Sequence, residues 1–206
     1  MKNNVIAGTV LLNYARKVGS VKRVIYSSSS SIVGNGSGPT TPYALQKYTT
    51  EQECKIYSEV YDIDTVSLRY FNVYSENQAA EGSYPTAISN WMDYVKKGKD
   101  PFITGDGEQR RDMVHLEDAV SANIHVMNIQ DRLNGKIMDV GTGTNISLNE
   151  VRDILERYHK VNFQFKPARL GEVLVTKADT KPMADLGWTH TVTIQDGIDS
   201  CFRRIK

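Results

Sequence analysis

Two short apolar runs on either side of a capped helical segment constrain the fold of this chain more than any other feature. The runs "VKRVIYSS" (21–28) and "DTVSLRYFNV" (64–73) have the β-branched and apolar composition of buried strands. The segment between them, residues 42–60, has a helical pattern, with Thr41 as its N-cap and Pro42 at its first position. Strands that alternate with helices predict an α/β fold with a parallel sheet.

The rest of the chain continues this alternation. Residues 135–143 predict a third buried strand, and residues 162–169 predict an exposed one. The segment 102–116 predicts a hairpin around the turn-forming dipeptide Asp106-Gly107. Ser147 and Glu150 have the spacing of a capping box. Further helices are predicted at 3–18, 84–97, 117–129, 148–158, 180–186 and 194–204. Glycine and serine at the strand ends suit a ligand crevice at the carboxyl edge of the sheet.

The composition argues against several classes of protein. A formal net charge of +1 over 206 residues gives no reason to expect nucleic acid or an anionic membrane as a partner. No apolar run approaches the roughly 18 residues of a membrane-spanning helix, and the first residues lack the pattern of a secretory leader. Cys54 and Cys201 stand in no paired motif, and the histidines show no metal-ligand spacing. We therefore expect a cytoplasmic protein without a metal site.

The stretch "VIYSSSSSIVGNGSGPTTPYALQK" (24–47) allows two interpretations. A Ser/Gly-rich segment is commonly a flexible linker. Here, however, the serines directly continue an apolar run, and the glycines follow where a chain that leaves a strand must turn. The turn then leads into a capped helix that carries Tyr43 and Lys47. The second interpretation, a strand that delivers a catalytic serine beside a Tyr/Lys pair, fits this order of residues better.

Tyr43 and Lys47 lie four positions apart, which places both side chains on one face of a helix. A tyrosine hydroxyl has a pKa of about 10 in water, so it is protonated at neutral pH. A nearby lysine ammonium favours the phenolate, because opposite charge stabilises the ionised form. A serine hydroxyl at the strand end could hold a substrate oxygen in line. Together these groups could take a proton from an alcohol while a hydride leaves its carbon for a nicotinamide.

An ordered set of motifs gives the chain a resemblance to a known family. They are "NVIAGTVLLNYARKVGSVKRVIYSSSSSIVG", "PYALQK", "LRYFNVY", "GDGEQRRDMVHLEDAV", "DVGTG" and "ARLGEVLVTKADTKPMADLGW". In this order they resemble the NAD-dependent nucleotide-sugar epimerase/dehydratase family of extended short-chain dehydrogenases, most of all its UDP-hexose and UDP-N-acetylhexosamine 4-epimerases. The resemblance implies an incomplete doubly wound, Rossmann-like parallel sheet plus a smaller α/β substrate-binding region. Residues 1–75, with part of 102–140, would belong to the dinucleotide-binding domain, and residues 76–206 mainly to the substrate region.

The same resemblance implies roles for individual residues. Tyr43 matches the catalytic base, and Lys47 matches the lysine that favours its phenolate and holds the nicotinamide ribose. Ser29, five positions before Gly34, matches the serine that hydrogen-bonds the sugar hydroxyl. The residues that match those contacting the substrate diphosphate are Asn72, Arg111 and Arg169. The implied reaction removes a hydride from C4 of a UDP-sugar and returns it to the opposite face, with NAD as cofactor.

One expected motif is absent from the sequence. Dinucleotide-binding folds carry a G-x-G-x-x-G fingerprint after a first strand, and no such sequence occurs in this chain. Relative to the family, we expect an N-terminal portion on the order of 100 residues to be missing. Binding of NAD by this chain alone is therefore uncertain, and a second chain could supply the missing half. We also expect a homodimer through helices 3–18 and 42–60, which match the family's dimer helices.

Three functions stay open at this point. The first is a nucleotide-sugar 4-epimerase, or a related dehydratase or reductase, for which the intact Ser29, Tyr43 and Lys47 argue. The second is a nucleotide-sugar-binding or partner subunit without catalysis, for which the absent fingerprint argues. The third is a folded remnant without activity. The sequence does not identify the sugar.

Overall fold

A computed structural model describes residues 1–34, 36–78, 86–168 and 173–205. Their contacts divide the chain into two compact units. The first unit contains Met1–Tyr70, Val120–Val140 and Asp179–Thr189, and the second contains Phe71–Ala119, Gly141–Ala178 and His190–Lys206. The sequence analysis assigns residues 1–75 to a dinucleotide-binding domain and residues 76–206 mainly to a substrate region, and this assignment stays a prediction. None of the helices in the described ranges has both the length and the apolar character needed to cross a membrane.

The described residues alternate between helices and short strands. The helices are α1 (Ala7–Val18), α2 (Pro42–Tyr61), α3 (Ala87–Lys96), α4 (Leu116–Asn128), α5 (Leu148–Glu156), α6 (Lys181–Asp185) and α7 (Ile194–Arg203). The strands are β1 (Val24–Ser29), β2 (Thr65–Tyr70), β3 (Asn72–Tyr74), β4 (Phe102–Thr104), β5 (Arg110–Arg111), β6 (Met113–His115), β7 (Lys136–Val140), β8 (Ile146–Ser147) and β9 (Gln164–Lys166). The α/β class predicted from the sequence is confirmed.

A three-stranded parallel sheet, in the order β1-β2-β7, organises the first unit. Helix α2 connects β1 to β2, so the predicted strand–helix–strand arrangement is confirmed. Thr41 caps α2 by accepting a hydrogen bond from the Ala44 N–H at 3.1 Å, and Pro42 occupies the first turn. This helix packs on the sheet and on α1, where Thr9 Oγ1 donates to Glu53 Oε1 at 2.8 Å.

The turn after β1 depends on Gly34. This residue has a φ of +56°, which side chains rarely tolerate, and a Cβ placed there would lie 2.4 Å from the carbonyl oxygen of Gly38. The chain can therefore reverse tightly between the serines of β1 and the start of α2. The Ser/Gly-rich stretch is thus a strand end followed by a turn and a helix, and the linker interpretation is wrong.

A buried ion pair ties α2 to the sheet. Glu51 on α2 is fully buried, and its two carboxylate oxygens each accept a hydrogen bond of 2.8 Å from the Arg69 guanidinium on β2. Ser28 Oγ on β1 also donates to Glu51, at 2.6 Å. A buried carboxylate is tolerated only where paired and hydrogen-bonded partners replace its hydration. This contact fixes the register of α2 against the ends of β1 and β2.

The second unit is built around a continuous apolar core. Its members include Ile88, Trp91, Ile103 and Phe202, each 2% exposed or less, together with the apolar face of α5. The predicted capping box is confirmed, since Ser147 Oγ accepts from the Glu150 N–H and Glu150 Oε2 accepts from the Ser147 N–H. Strand β3 pairs in parallel with β6, which places Asn72 opposite Met113.

The hairpin predicted for residues 102–116 is wrong. The turn at Asp106-Gly107 forms, but the strands beside it do not pair with each other. Instead β4 pairs with β9, β5 with β8 and β6 with β3. The physical reason is that a turn signal specifies only the local reversal, whereas the partners of the flanking strands are set by distant parts of the chain.

Candidate active site

Ser29 is the last residue of β1, at the carboxyl end of the parallel sheet. Its backbone is extended, and its Oγ accepts hydrogen bonds from the Ser31 N–H at 3.3 Å and from Ser31 Oγ at 3.0 Å. The side chain is partly exposed. Since both bonds use Oγ as an acceptor, its own proton is available to be donated to a ligand oxygen.

Tyr43 and Lys47 occupy the first two turns of α2 on one face of the helix, as the spacing predicts. The Lys47 ammonium lies 5.9 Å from the centre of the Tyr43 ring. It also donates a 2.7 Å hydrogen bond to the carbonyl oxygen of Ser27 on β1. Lys47 thus connects α2 to the strand that carries Ser29. The Tyr43 side chain is 45% exposed, so a ligand can reach its hydroxyl.

The Lys47 ammonium is only partly exposed to solvent. Burial lowers the pKa of Lys47 from its usual value, because desolvation penalises the charged ammonium. A second aromatic ring, that of Tyr26 on β1, lies 5.1 Å from the ammonium. Burial raises the pKa of Tyr26 to about 12, so this phenol stays neutral in the physiological range.

The second unit contains a cavity of about 240 Å³. Strand β3 supplies Asn72, α3 supplies Asn90 and Trp91, and β4 supplies Phe102 to its lining. Arg111 on β5 and Met113 on β6 complete this part of the wall. The lining therefore combines aromatic and aliphatic groups with one guanidinium and several amides. Such a mixture is typical of sites that take a small organic ligand with an anionic group.

Two adjacent arginines have different surroundings. Arg110 pairs with Glu150 at 2.9 Å and donates to Asn145 Oδ1 at 2.8 Å, so its charge is used within the protein. Arg111 lines the cavity and donates to two backbone carbonyls, those of Arg110 at 3.1 Å and Leu174 at 3.3 Å. A guanidinium can bind a phosphate in a bidentate manner, so Arg111 is the candidate in this cavity for contact with an anionic group.

Asp112 holds the backbone around the cavity wall. It is fully buried, and its Oδ1 accepts 2.9 Å bonds from the N–H and the hydroxyl of Thr142. Its Oδ2 accepts from the N–H groups of Gly143 and Ala178, also at 2.9 Å. The carbonyl of Asp112 in turn accepts a 2.7 Å bond from Asn72 Nδ2. The carboxylate thus orders the segments on which Asn72 and Arg111 depend.

The structure brings some of the predicted site residues together within each unit. Ser29, Tyr43 and Lys47 lie on β1 and the start of α2 in the first unit, and Asn72 and Arg111 line one cavity in the second. Arg169 lies outside the described residues. The sequence analysis missed Tyr26, Trp91 and Phe102. Their short apolar surroundings are typical of core residues, and the motif that contains Tyr26 implies no role for it.

The comparisons with known proteins identify the family and the fold. Residues 1–141 match the "NAD dependent epimerase/dehydratase family". The chain belongs to this family. A Methanocaldococcus jannaschii protein provisionally named as a UDP-glucose 4-epimerase is 33% identical over 95% of this chain and 66% of its own length. The UDP-glucuronate 4-epimerase of Thermodesulfobacterium geofontis is 30% identical over 94% of this chain and 62% of its own length. The chain therefore spans about two thirds of these curated relatives.

Solved structures of epimerases have the same fold. A UDP-glucose 4-epimerase of Thermotoga maritima with UDP-glucose superposes with a TM-score of 0.88 at 28% identity, over 98% of this chain and 70% of that one. A UDP-glucuronic acid 4-epimerase of Bacillus cereus, in complex with UDP-glucuronic acid and NAD, superposes with a TM-score of 0.87 at 26% identity, over 99% of this chain and 67% of that one. The Rossmann-like class inferred from the resemblance is confirmed, and NAD is the cofactor of the family.

Proposed function

We propose that this chain acts as an NAD-dependent nucleotide-sugar 4-epimerase through Ser29, Tyr43 and Lys47. The observation that supports the proposal most strongly is the position of the Lys47 ammonium. It lies 5.9 Å from the Tyr43 ring and is held by the carbonyl of Ser27, two residues before Ser29. A cation in this place favours a phenolate next to it. This arrangement suits proton transfer to and from a sugar hydroxyl.

Each residue has a defined task in the proposed reaction. Ser29 donates a hydrogen bond to the oxygen on C4 and keeps it in line with Tyr43. The Tyr43 phenolate takes the hydroxyl proton as the C4 carbon is oxidised to a ketone, and it returns the proton when C4 is reduced from the opposite face. Lys47 stabilises the phenolate and contacts the nicotinamide ribose. NAD, when bound, accepts the hydride from C4 and gives it back.

The nucleotide end of the substrate is assigned to the second unit. Asn72 and Arg111 line a cavity with aromatic and amide groups, which suits a nucleoside diphosphate. Arg111 would pair with a phosphate, since its planar guanidinium suits a bidentate contact with phosphate oxygens. Arg169 is proposed as a second phosphate ligand from the motif alone. UDP-hexoses and UDP-N-acetylhexosamines are the substrate classes we propose, with a related dehydratase reaction as the nearest variant.

The residues present fit one end of NAD. Tyr43 is accessible and Lys47 carries donors, so the pair suits the nicotinamide ribose. The sequence contains no G-x-G-x-x-G fingerprint for the pyrophosphate. The proposal therefore assigns only the nicotinamide end of NAD to these residues, and a chain that carries the fingerprint is added in the test to supply the other contacts. It also includes the cytoplasmic location predicted from the sequence.

The direct test is inversion at C4. The purified chain is incubated with NAD and either UDP-glucose or UDP-N-acetylglucosamine, and the C4 epimer is followed by NMR. We expect the epimer to appear with the wild-type chain and not with Tyr43→Phe. No inversion by the wild-type chain, either alone or with a chain that carries the fingerprint, would refute the catalytic proposal.

A second candidate is a nucleotide-sugar-binding subunit without catalysis, and the cavity lined by Asn72 and Arg111 favours it. This function needs the cavity with Asn72 and Arg111 but not Tyr43. Its signature is a calorimetric titration in which UDP-sugar binds, Arg111→Ala weakens the binding, and NAD gives no heat at millimolar concentration. Inversion at C4 by the wild-type chain would remove this candidate.

We also propose that the chain forms a homodimer through α1 and α2. Both helices expose apolar side chains at 50–66%, namely Val10, Leu11, Tyr14, Leu45, Ile56 and Val60. Apolar groups gathered on adjacent helices are typical of interaction surfaces. Light scattering at micromolar concentration should give twice the chain mass for the wild type and one chain mass for Leu11→Glu. Phe165→Glu, at another exposed apolar position, is the control and should leave the mass unchanged.

A further inference from the structure

Tyr26 is the aromatic residue nearest to the Lys47 ammonium among the described rings. The distance from Lys47 Nζ to the ring centre is 5.1 Å for Tyr26 and 5.9 Å for Tyr43. A cation within about 6 Å of an aromatic face is attracted by the ring quadrupole. The ammonium therefore interacts with one ring on β1 and one on α2, and donates to the Ser27 carbonyl between strand and helix.

The position of Tyr26 follows from the strand alternation. Tyr26 and Ser28 lie two residues apart on β1, so their side chains point to the same side of the sheet. Ser28 donates to Glu51 on α2, which shows that this side faces α2. The Tyr26 ring packs there against a small cluster formed by Leu12, Cys54 and Tyr57. The ring is thus held in place by its own packing.

The Tyr26 hydroxyl has no evident structural use. It is buried beside Thr50, yet it forms no hydrogen bond of acceptable geometry among the described residues. Leaving a buried hydroxyl without such a bond costs free energy, so phenylalanine would satisfy the packing as well or better. The raised pKa of Tyr26 also makes it a poor base. The feature of Tyr26 that can have a function is therefore its aromatic face, which lies next to Lys47.

We propose that Tyr26 is a positioning residue for Lys47. Its ring face holds the ammonium beside Tyr43, while the carbonyl of Ser27, the next residue on β1, sets the direction of one N–H. The ring also replaces part of the hydration that the ammonium loses on burial. The inference about geometry stands by itself, and its consequence for catalysis rests on the proposed function.

The proposal predicts a difference between two substitutions at one position. Tyr26→Phe keeps the aromatic face and removes only the unpaired hydroxyl, so Lys47 should keep its place. Tyr26→Leu keeps apolar volume but removes the face, so the ammonium should lose an attraction. Other titratable groups that interact with Tyr26 are Tyr43, Glu51 and Cys54, and Glu51 is itself paired with Arg69 on β2. All of these stay the same in both variants.

The first measurement is NMR on protein with isotope-labelled lysine. In the wild type, the Lys47 Cε protons should be shifted upfield by the rings of Tyr26 and Tyr43. Tyr26→Phe should keep most of this shift, and Tyr26→Leu should lose most of it. The pKa of Lys47 should be lower in Tyr26→Leu than in Tyr26→Phe, because the ammonium loses the attraction of the ring face. Tyr158→Leu in the second unit, a residue 39% exposed, is the control and should change neither quantity.

The second measurement is kinetic. If the wild-type chain inverts C4, Tyr26→Leu should lower kcat on the order of tenfold to a hundredfold without raising KM for the UDP-sugar. Tyr26→Phe should keep kcat close to the wild-type value, because it keeps the aromatic face. Should Tyr26→Leu fail to fold, Tyr26→Met supplies an unbranched apolar side chain without an aromatic face.

The outcomes separate the two proposals. Equal Lys47 shifts and equal Lys47 pKa values in the Leu and Phe variants would overturn the role of Tyr26. Absence of C4 inversion in the wild type would instead contradict the proposed function, and the NMR comparison would still decide the position of Lys47.

Discussion

The two candidate regions of this protein are constructed in different ways. In the first unit, Ser29, Tyr43 and Lys47 lie within 19 consecutive residues, at a strand end and on the helix that follows it. In the second unit, the cavity lining comes from five consecutive elements, β3, α3, β4, β5 and β6, which span residues 72–115, and from Leu148 on α5. The first group is partly exposed, whereas the cavity wall rests on the fully buried Asp112.

Because of this difference, substitutions in the first region should mainly change the reaction rate, and substitutions in the second should mainly change stability. A substitution at Tyr43 removes an exposed hydroxyl, so it should affect reaction far more than stability. A substitution at Asp112 leaves several buried N–H groups unpaired, so it should affect stability before it affects any ligand. Measuring both reaction rate and stability for variants of each region can therefore show whether the two regions differ in this way.

The largest expected effect is that of Tyr43→Phe on C4 inversion. Removing the proposed acid–base group should lower kcat by about 10² to 10⁴. Because Tyr43 is 45% exposed, the urea midpoint should stay close to that of the wild type. The affinity for UDP-sugar, measured by calorimetry, should also stay within about twofold, since nucleotide binding is assigned to the second unit. Loss of binding together with loss of turnover would break the proposed division.

Asp112→Asn should cause a large loss of stability in the second unit. Each oxygen of Asp112 accepts two hydrogen bonds, so an amide nitrogen in either place would face two donors. We expect a cost of about 3 kcal/mol. Trp91 in the second unit is 2% exposed, and its fluorescence in a Trp188→Phe background reports the unfolding in urea.

Two matched variants sharpen this test. Thr142→Val removes only one of the four bonds to Asp112 and should cost about 1 kcal/mol. Glu51→Gln disrupts the buried pair with Arg69 in the first unit. It should instead lower the urea midpoint that the fluorescence of Trp188 reports, because Trp188 belongs to the same unit. An unchanged urea midpoint for Asp112→Asn would show that this carboxylate does not support the cavity wall.

A smaller effect is expected at the nucleotide end. Arg111→Ala should weaken UDP-sugar binding by about tenfold, because a charge-assisted hydrogen bond to phosphate is worth about 1.5 kcal/mol or more. Arg111→Lys should recover only part of this affinity, since a lysine cannot form the bidentate contact. Arg152→Ala, outside the cavity lining, serves as a control in the calorimetric titration. Equal affinities for the wild type and Arg111→Ala would contradict the assignment of the diphosphate.

The smallest effect is expected in the pH profile. Burial lowers the pKa of Lys47, so its ammonium should lose its proton below the usual lysine value of about 10.4. The activity should therefore fall on the alkaline side as pH rises through this lowered pKa. Lys47→Arg keeps the charge throughout that range and should remove this limb from the profile of kcat/KM. A limb at the same pH in both proteins would assign it to another group.

The placement of Ser29, Tyr43 and Lys47 could be predicted from the sequence because it depends on local patterns. Thr41 and Pro42 fix the start of α2, and the spacing of Tyr43 and Lys47 then fixes their common face. The serines that continue an apolar run predict the end of the strand, which is Ser29 at the end of β1. The contacts of Lys47 with the Tyr26 ring and with the Ser27 carbonyl could not be predicted, because they depend on how α2 packs on the sheet.

The cavity could not be predicted in the same way. Trp91 and Phe102 belong to elements whose pairing is decided by distant strands, such as β9 for β4. The wrong hairpin at 102–116 has the same origin, since a local turn signal says nothing about the partners of the flanking strands. Asn72 and Arg111 were identified through the family motifs. Their common cavity became evident only from the fold.

The measurement that tests the central claim most directly is the NAD content of the protein. Freshly purified chain is denatured, and the released NAD(H) is assayed against the protein concentration. A functional site at Tyr43 and Lys47 predicts about one cofactor per chain, or saturable uptake after soaking in NAD at about millimolar concentration. A content near zero that stays there after soaking, also in the presence of a chain that carries the glycine-rich fingerprint, would contradict the account.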